Sequence, residues 1–226
     1  MHSRLSLADY AVIWDLDGVI VDTATFHLRA WKKVIEDYGI PFSEQDFKRT
    51  FGMRNREIIC TIFGDSVQES QIAEISERKE TYYRQLVSGN VIPLPGAMEL
   101  LRALHNAGFR QAIASSSPEE NVSLILDSLG IRRMFEAVVS ERDVQVGKPD
   151  PEMFLTAARR LGVKPPRSLV IEDAVAGVQA AKRAGMKCVG VSNTHPADRL
   201  RDADVVVDSL LQLDVDEIKA LLQVSQ

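Results

Sequence analysis

Two acidic strings stand out in the 226 residues of this chain. Asp15-Leu16-Asp17-Gly18-Val19 ends the apolar run Ala11-Val12-Ile13-Trp14, and Glu172-Asp173 ends the run Ser168-Leu169-Val170-Ile171. Residues two apart in an extended segment lie on one side, so the carboxylates of Asp15 and Asp17 can share a space. Neighbouring carboxylates repel, and a bound cation or a shared proton is the usual remedy. With Mg²⁺ present, one carboxylate can coordinate metal and attack phosphorus while the other handles protons. The second acidic pair adds oxygen ligands of the kind Mg²⁺ prefers. Two further pieces suit an anion. Ser115-Ser116-Ser117 precedes Pro118 at an expected helix start, where hydroxyls and free backbone N–H groups bind phosphate. Lys148, in Gly147-Lys148-Pro149, would neutralise charge opposite a phosphate.

Each piece has a plainer alternative. Asp and Gly are common in turns. Asp173, or one of the three serines, could be a helix N-cap, and a lone loop lysine is usually solvated. As a set, they supply a nucleophile, a proton donor, a metal site and anion ligands. A GxxxxGK[ST] phosphate loop is absent from the sequence, which argues against nucleotide-driven mechanisms of that type.

The elements that must position these groups follow from the apolar runs. Besides the two above, Arg110–Ala114, Cys188–Val191 and Val205–Val207 read as strands. Helices are expected over Gly96–Asn106, Pro118–Leu129, Asp150–Leu161 and Ala174–Ala184, with Gly108, Gly130, Gly162 and Gly185 at their ends. Such alternation predicts a parallel sheet covered on both faces, with ligands beyond the carboxyl ends of its strands. From Thr23 to Ser88 only helical periodicity is found. Phe26, Ala30, Trp31, Val34 and Tyr38 share one face of a first helix there, and Ile72, Ile75, Tyr82 and Leu86 share one face of a later one. The expected fold is α/β: a Rossmann-like parallel-sheet core of residues 1–22 and 89–226, with an inserted α-helical cap of residues 23–88 placed as a lid.

Composition narrows the partners. A formal charge of -5 offers no footprint for nucleic acid. No apolar run nears the ~18 residues of a membrane span, and Met1–Tyr10 lacks the apolar core of a signal peptide. Cys60 and Cys188 have no metal-ligand spacing and read as reduced thiols. A cytoplasmic monomer is expected.

The four motifs in this order resemble the haloacid dehalogenase superfamily, specifically its phosphatases and β-phosphoglucomutase-like members with a helical cap. The resemblance runs from about Tyr10 to Asp208: Asp15–Thr23, then Ser115, then Lys148, then Glu172-Asp173. It implies that Asp15 becomes a phospho-aspartate and that Asp17 is the general acid and base. It implies Mg²⁺ held by Asp15, the carbonyl of Asp17 and Asp173, with Glu172 close by through water. Ser115, the amide of Ser116 and Lys148 would hold the phosphoryl group. Asp17 favours phosphoryl over halide chemistry, because an alkoxide leaving group needs an acid.

In the cap, His27 and Lys79 match positions that help close the lid in the mutases, and Thr23 matches the hinge; packing and snorkelling are the competing readings. The loop Gly52-Met53-Arg54-Asn55-Arg56 departs from the mutase pattern, so that an arginine for the substrate's non-reacting phosphate is displaced, or replaced by Arg54 or Arg56. Pro118 and Glu119 stand where the mutase has Lys and Asn, and Asn121 agrees with the phosphatases. The expectation is a phosphatase of a small phosphorylated metabolite such as a sugar phosphate. The alternatives are a β-phosphoglucomutase and a non-catalytic regulatory protein, the last disfavoured by intact Asp15, Asp17, Lys148 and Asp173.

Overall fold

The computed structural model describes residues 6–64 and 66–224. Among them, six parallel strands form one sheet: β1 (Ala11–Trp14), β2 (Arg110–Ala114), β3 (Ala137–Val139), β4 (Ser168–Glu172), β5 (Lys187–Val191) and β6 (Val205–Val207). Their order is β3-β2-β1-β4-β5-β6. Five strands lie where the apolar runs predict them. β3 is not predicted, since three residues are too few to carry a period; its pairing with β2 defines it.

All four residues of β1 are fully buried, as expected of a central strand covered on both faces. Val12 and Trp14 enter one core with α5 (Ala97–Ala107), α6 (Glu119–Leu129) and α9 (Val215–Leu221). Ala11 and Ile13 enter the other with α7 (Glu152–Leu161) and α8 (Val175–Arg183). A one-residue slip of β1 would exchange these faces, so packing fixes its register. The buried indole N–H of Trp14 donates to Gln111 Oε1 at 2.9 Å, which ties β1 to β2 one residue below Asp15.

The described residues between β1 and α5 form four helices and no strand: α1 (Ala24–Glu36), α2 (Glu44–Thr50), α3 (Asn55–Phe63) and α4 (Glu69–Val87). They pack on a core of their own around Trp31, Ile35, Phe42, Ile59 and Ile75. The inward ridges differ in part from the sequence expectation. Ala30, Trp31, Val34, Ile72 and Ile75 are buried as expected. His27 and Ile35 of α1 are buried too, while Tyr38, beyond its end, is exposed; in α4, Lys79, Tyr83 and Val87 are buried rather than Tyr82 and Leu86. Polar side chains, His27 and Lys79 among them, take inward positions that an apolar period passes over.

Candidate active site

The register pairs Trp14 with Ile113 and with Ile171, so the chain leaves β1, β2 and β4 at one level. Asp15, Ser115 and Glu172-Asp173 therefore emerge together at the switch point of the sheet, where strand order reverses. Lys148 arrives from the loop before α7. Its ammonium donates to Asp15 Oδ1 at 2.5 Å, Glu172 Oε1 at 2.7 Å and the Ala114 carbonyl at 3.3 Å. Burial opposes its charge, yet Asp15 and Glu172 outweigh burial and raise its pKa.

Asp15 fares differently. Burial pushes it up to about 7, although Lys148 pulls the other way. The neighbouring carboxylates of Glu172 and Asp17 add to burial, since Asp15, Asp17, Glu172 and Asp173 share one crevice with a single core lysine. Asp173 is raised too, by burial first and then by Glu172 and Asp15. Its Oδ2 is buried with no hydrogen-bond partner, a costly state for a carboxylate unless a cation satisfies it. Gly18, at φ +87°, passes so close that a Cβ there would lie 2.0 Å from this oxygen. An orphaned oxygen, excess negative charge and only oxygen donors together fit a hard divalent cation.

The metal set that the resemblance implies takes Asp15, Asp173 and the backbone carbonyl of Asp17 as ligands, with Glu172 reached through water. Among the described residues, no three His, Cys, Asp or Glu side chains surround a common point. Glu172 gives its oxygens to Lys148 and to the Ala174 N–H at 2.7 Å, and the Asp17 carboxylate turns to other donors. Asp15 and Asp173 are the side chains left to offer oxygen.

Asp17 faces the cap. Thr23 Oγ1 donates to its Oδ1 at 2.5 Å, Ser117 Oγ to its Oδ2 at 2.8 Å, and His27 Nε2 stands 3.5 Å from Oδ1. Burial raises its pKa, but these donors prevail and hold it at about 2. His27 in turn stacks on Tyr83 at 4.0 Å and meets Lys79. The ammonium of Lys79, 2% exposed, lies 5.2 Å from the Trp31 ring centre and 5.1 Å from that of Tyr83. Such contacts are worth about 2 kcal/mol when desolvated. Lys79 also donates to Glu80 Oε1 at 2.7 Å.

Around these groups lies a cavity of about 40 Å³. That admits roughly three waters. The cap-side wall is formed by Trp31, Phe47, Phe51, Asn55, Ile58, Lys79 and Glu80.

Known proteins show the same architecture. Residues 12–191 match the haloacid dehalogenase-like hydrolases. The chain belongs to that family. It is 42% identical over 205 residues to the β-phosphoglucomutase of Bacillus subtilis, covering 87% of this chain and 88% of that one. With the validoxylamine A 7'-phosphate phosphatase of Streptomyces hygroscopicus subsp. limoneus it shares 32% identity, over 89% and 94% of the two chains. The crystal structure of β-phosphoglucomutase from Clostridium difficile superposes with a TM-score of 0.86 at 32% identity, covering 95% of this chain and 97% of that one. The protein is thus an enzyme of the haloacid dehalogenase-like hydrolase family.

In this enzyme the motif residues Asp15, Asp17, Ser115, Ser116, Lys148, Glu172 and Asp173 all line one cavity, joined by His27 and Lys79 of the cap. The Ser116 hydroxyl is buried without a partner, as suits a side chain awaiting an anion. The N-cap alternatives do not hold. Pro118 caps α6 and Ala174 caps α8, neither through a side chain, because the serines and Asp173 face the crevice instead.

Arg54 and Arg56 are not brought to the cavity. Arg54 spends its guanidinium on Glu57 at 2.9 Å and on the Gln145 carbonyl at 3.0 Å, a bond from cap to core. Arg56 pairs with Glu69 on the exposed cap surface. Both have carboxylate partners within the cap, which the loop sequence alone does not reveal.

Sequence reasoning missed Ser117, Asn55, Glu80 and Asn193. Asn193 Nδ2 braces the Gly18 carbonyl at 3.1 Å. Ser117 was legible, as the third serine of a string ending at the crevice. Glu80 was not, since a residue beside an inward lysine is ordinarily off the buried stripe.

Proposed function

We propose that this enzyme is a Mg²⁺-dependent phosphoric monoester hydrolase acting on a small phosphorylated metabolite, a sugar phosphate, through a phospho-aspartate on Asp15. The observation that carries the reading is the meeting of Asp15, Lys148, the orphaned Asp173 oxygen and the cap-linked Asp17 in one closed cavity. Mg²⁺, held by Asp15, Asp173 and the Asp17 carbonyl with Glu172 behind, would supply the charge that offsets repulsion between Asp15 and the phosphoryl group. Asp15 attacks phosphorus, and Asp17 gives its proton to the departing ester oxygen. Asp17 then takes a proton from water, which attacks the phospho-aspartate and frees phosphate. Lys148, already beside Asp15, neutralises phosphoryl oxygens without travelling. Although Asp17 sits at about 2 in the closed cavity, an arriving phosphate dianion raises that value by like-charge repulsion and loads the acid.

A hydrolase is favoured because a mutase must hold a bisphosphate, which calls for two anion cradles. The two lysines lining the cavity are both tied to carboxylates. Neither Arg54 nor Arg56 lines it. The relative named as a phosphatase agrees with this. A second reading, β-phosphoglucomutase, is favoured by the 42% identity to the Bacillus subtilis enzyme. Incubation with β-glucose 1-phosphate and a trace of bisphosphate separates them. Phosphate release supports the hydrolase; rapid glucose 6-phosphate formation without phosphate release overturns it. A screen of phosphorylated sugars with and without Mg²⁺ then identifies the substrate.

A further inference from the structure

The carboxylate of Glu80 stands in the cavity wall at the seam between cap and core, 5% exposed. Three donors converge on it. Asn55 of α3 donates at 2.7 Å and Lys79 of α4 at 2.7 Å, both to Oε1. Asn121 of core helix α6 donates at 2.6 Å to Oε2, and its own Oδ1 accepts from Arg84 at 3.2 Å. Burial would neutralise an acid here, but Lys79 and the other donors outweigh it and keep Glu80 below the usual carboxylate range. Lys79 is its counter-ion and is shared with His27. The cap-side end of the cavity therefore carries an anchored negative group and no cation in excess.

Geometry assigns that end to the leaving portion of the substrate. Phosphorus must sit against Asp15, between Ser116 and Lys148 on the core side, so the remainder of the molecule points towards Asn55 and Glu80. A carboxylate has about four acceptor positions, and three are taken. Building on the hydrolase reading, we infer that Glu80 sets the substrate class. It accepts monophosphates whose leaving portion brings hydroxyl or ammonium donors, and by holding Lys79 it leaves no free cation for a second phosphate or carboxylate.

Binding tests this independently of turnover. The Asp15→Asn protein with Mg²⁺ is titrated calorimetrically with glucitol 6-phosphate, glucosamine 6-phosphate and fructose 1,6-bisphosphate. The two monophosphates are expected to bind at least about tenfold tighter than the bisphosphate. Adding Glu80→Gln brings the three within about threefold. Asn55→Lys places an ammonium in the same wall while leaving Glu80, and it tightens the bisphosphate alone; it serves where Glu80→Gln fails to fold. A bisphosphate preference with Glu80 present, or an unchanged ratio in the variants, overturns the inference. The hydrolase reading stands or falls separately, on whether the unaltered enzyme releases phosphate or an isomerised sugar phosphate.

Discussion

The side-chain nitrogen of Lys79 lies 2.9 Å from Nδ1 of His27. An ammonium has only protons to give, so Nδ1 accepts and the ring proton resides on Nε2. That proton faces Asp17 Oδ1 at 3.5 Å. Burial, and then Lys79, lower the pKa of His27. A cap lysine thereby orients a donor towards the Asp17 carboxylate.

Nitrogen-15 shifts of the His27 ring check this arrangement. The Nε2–H tautomer is expected, with a protonation midpoint below that of an ordinary imidazole. In Lys79→Met the ring loses its repelling neighbour and titrates at higher pH than in the unaltered protein. A ring protonated on Nδ1 in the unaltered enzyme contradicts the assignment.

Asp15→Asn removes the nucleophile of the proposed reaction and replaces one buried carboxylate by an amide of equal size. Phosphate release falls by at least roughly 10³-fold, while circular dichroism is unchanged. Residual turnover within tenfold of the parent would remove Asp15 from the chemistry.

Metal and pH are linked through Asp15 and Asp173. Both have folded pKa values above their unfolded ones, Asp15 at about 7. Between about pH 4 and 7 the native state then binds protons that the unfolded chain has released, so stability of the metal-free protein falls as pH rises through that window. Mg²⁺ is expected to raise the melting temperature more at pH 7.5 than at pH 5. Equal shifts at both values, in melts followed by fluorescence, would break the link.

Gly177 lies in the first turn of α8, and a Cβ there would come within 1.8 Å of Glu172 Oε1. Gly177→Ala displaces that carboxylate and, through it, Lys148. A stability loss of about 1–3 kcal/mol is expected from the overpacking, with a lower kcat. Denaturant titration and steady-state kinetics read the two effects; parent-like values in both would show that Glu172 is free to move.

Arg54 and Arg56 separate in kinetics. Arg56→Ala breaks only an exposed pair with Glu69, worth at most about 1 kcal/mol, and leaves kcat and KM within about twofold. Arg54→Ala cuts a bond from cap to core at Gln145 and raises KM. A rise in KM for Arg56→Ala instead would restore that residue to the substrate.

The convergence of the core motifs was legible because three of the four end a strand, and strand ends in a parallel sheet converge by topology. Asp15, Ser115 and Asp173 needed no knowledge of the cap. The cap-side wall was less legible. Arg54 and Arg56 share one loop, yet their destinations depend on Glu57 and Glu69, which a helical period does not rank as partners. Glu80 likewise reads as a solvated neighbour of Lys79 until Asn55 and Asn121 are brought beside it. β3 escaped for a different reason, as its three residues acquire strand character only by pairing with β2.

Glu80 accepts from Asn121 across the seam and also belongs to the cavity wall. One carboxylate is thus both a latch between cap and core and a face of the chamber, so no substitution of it alters the one without disturbing the other.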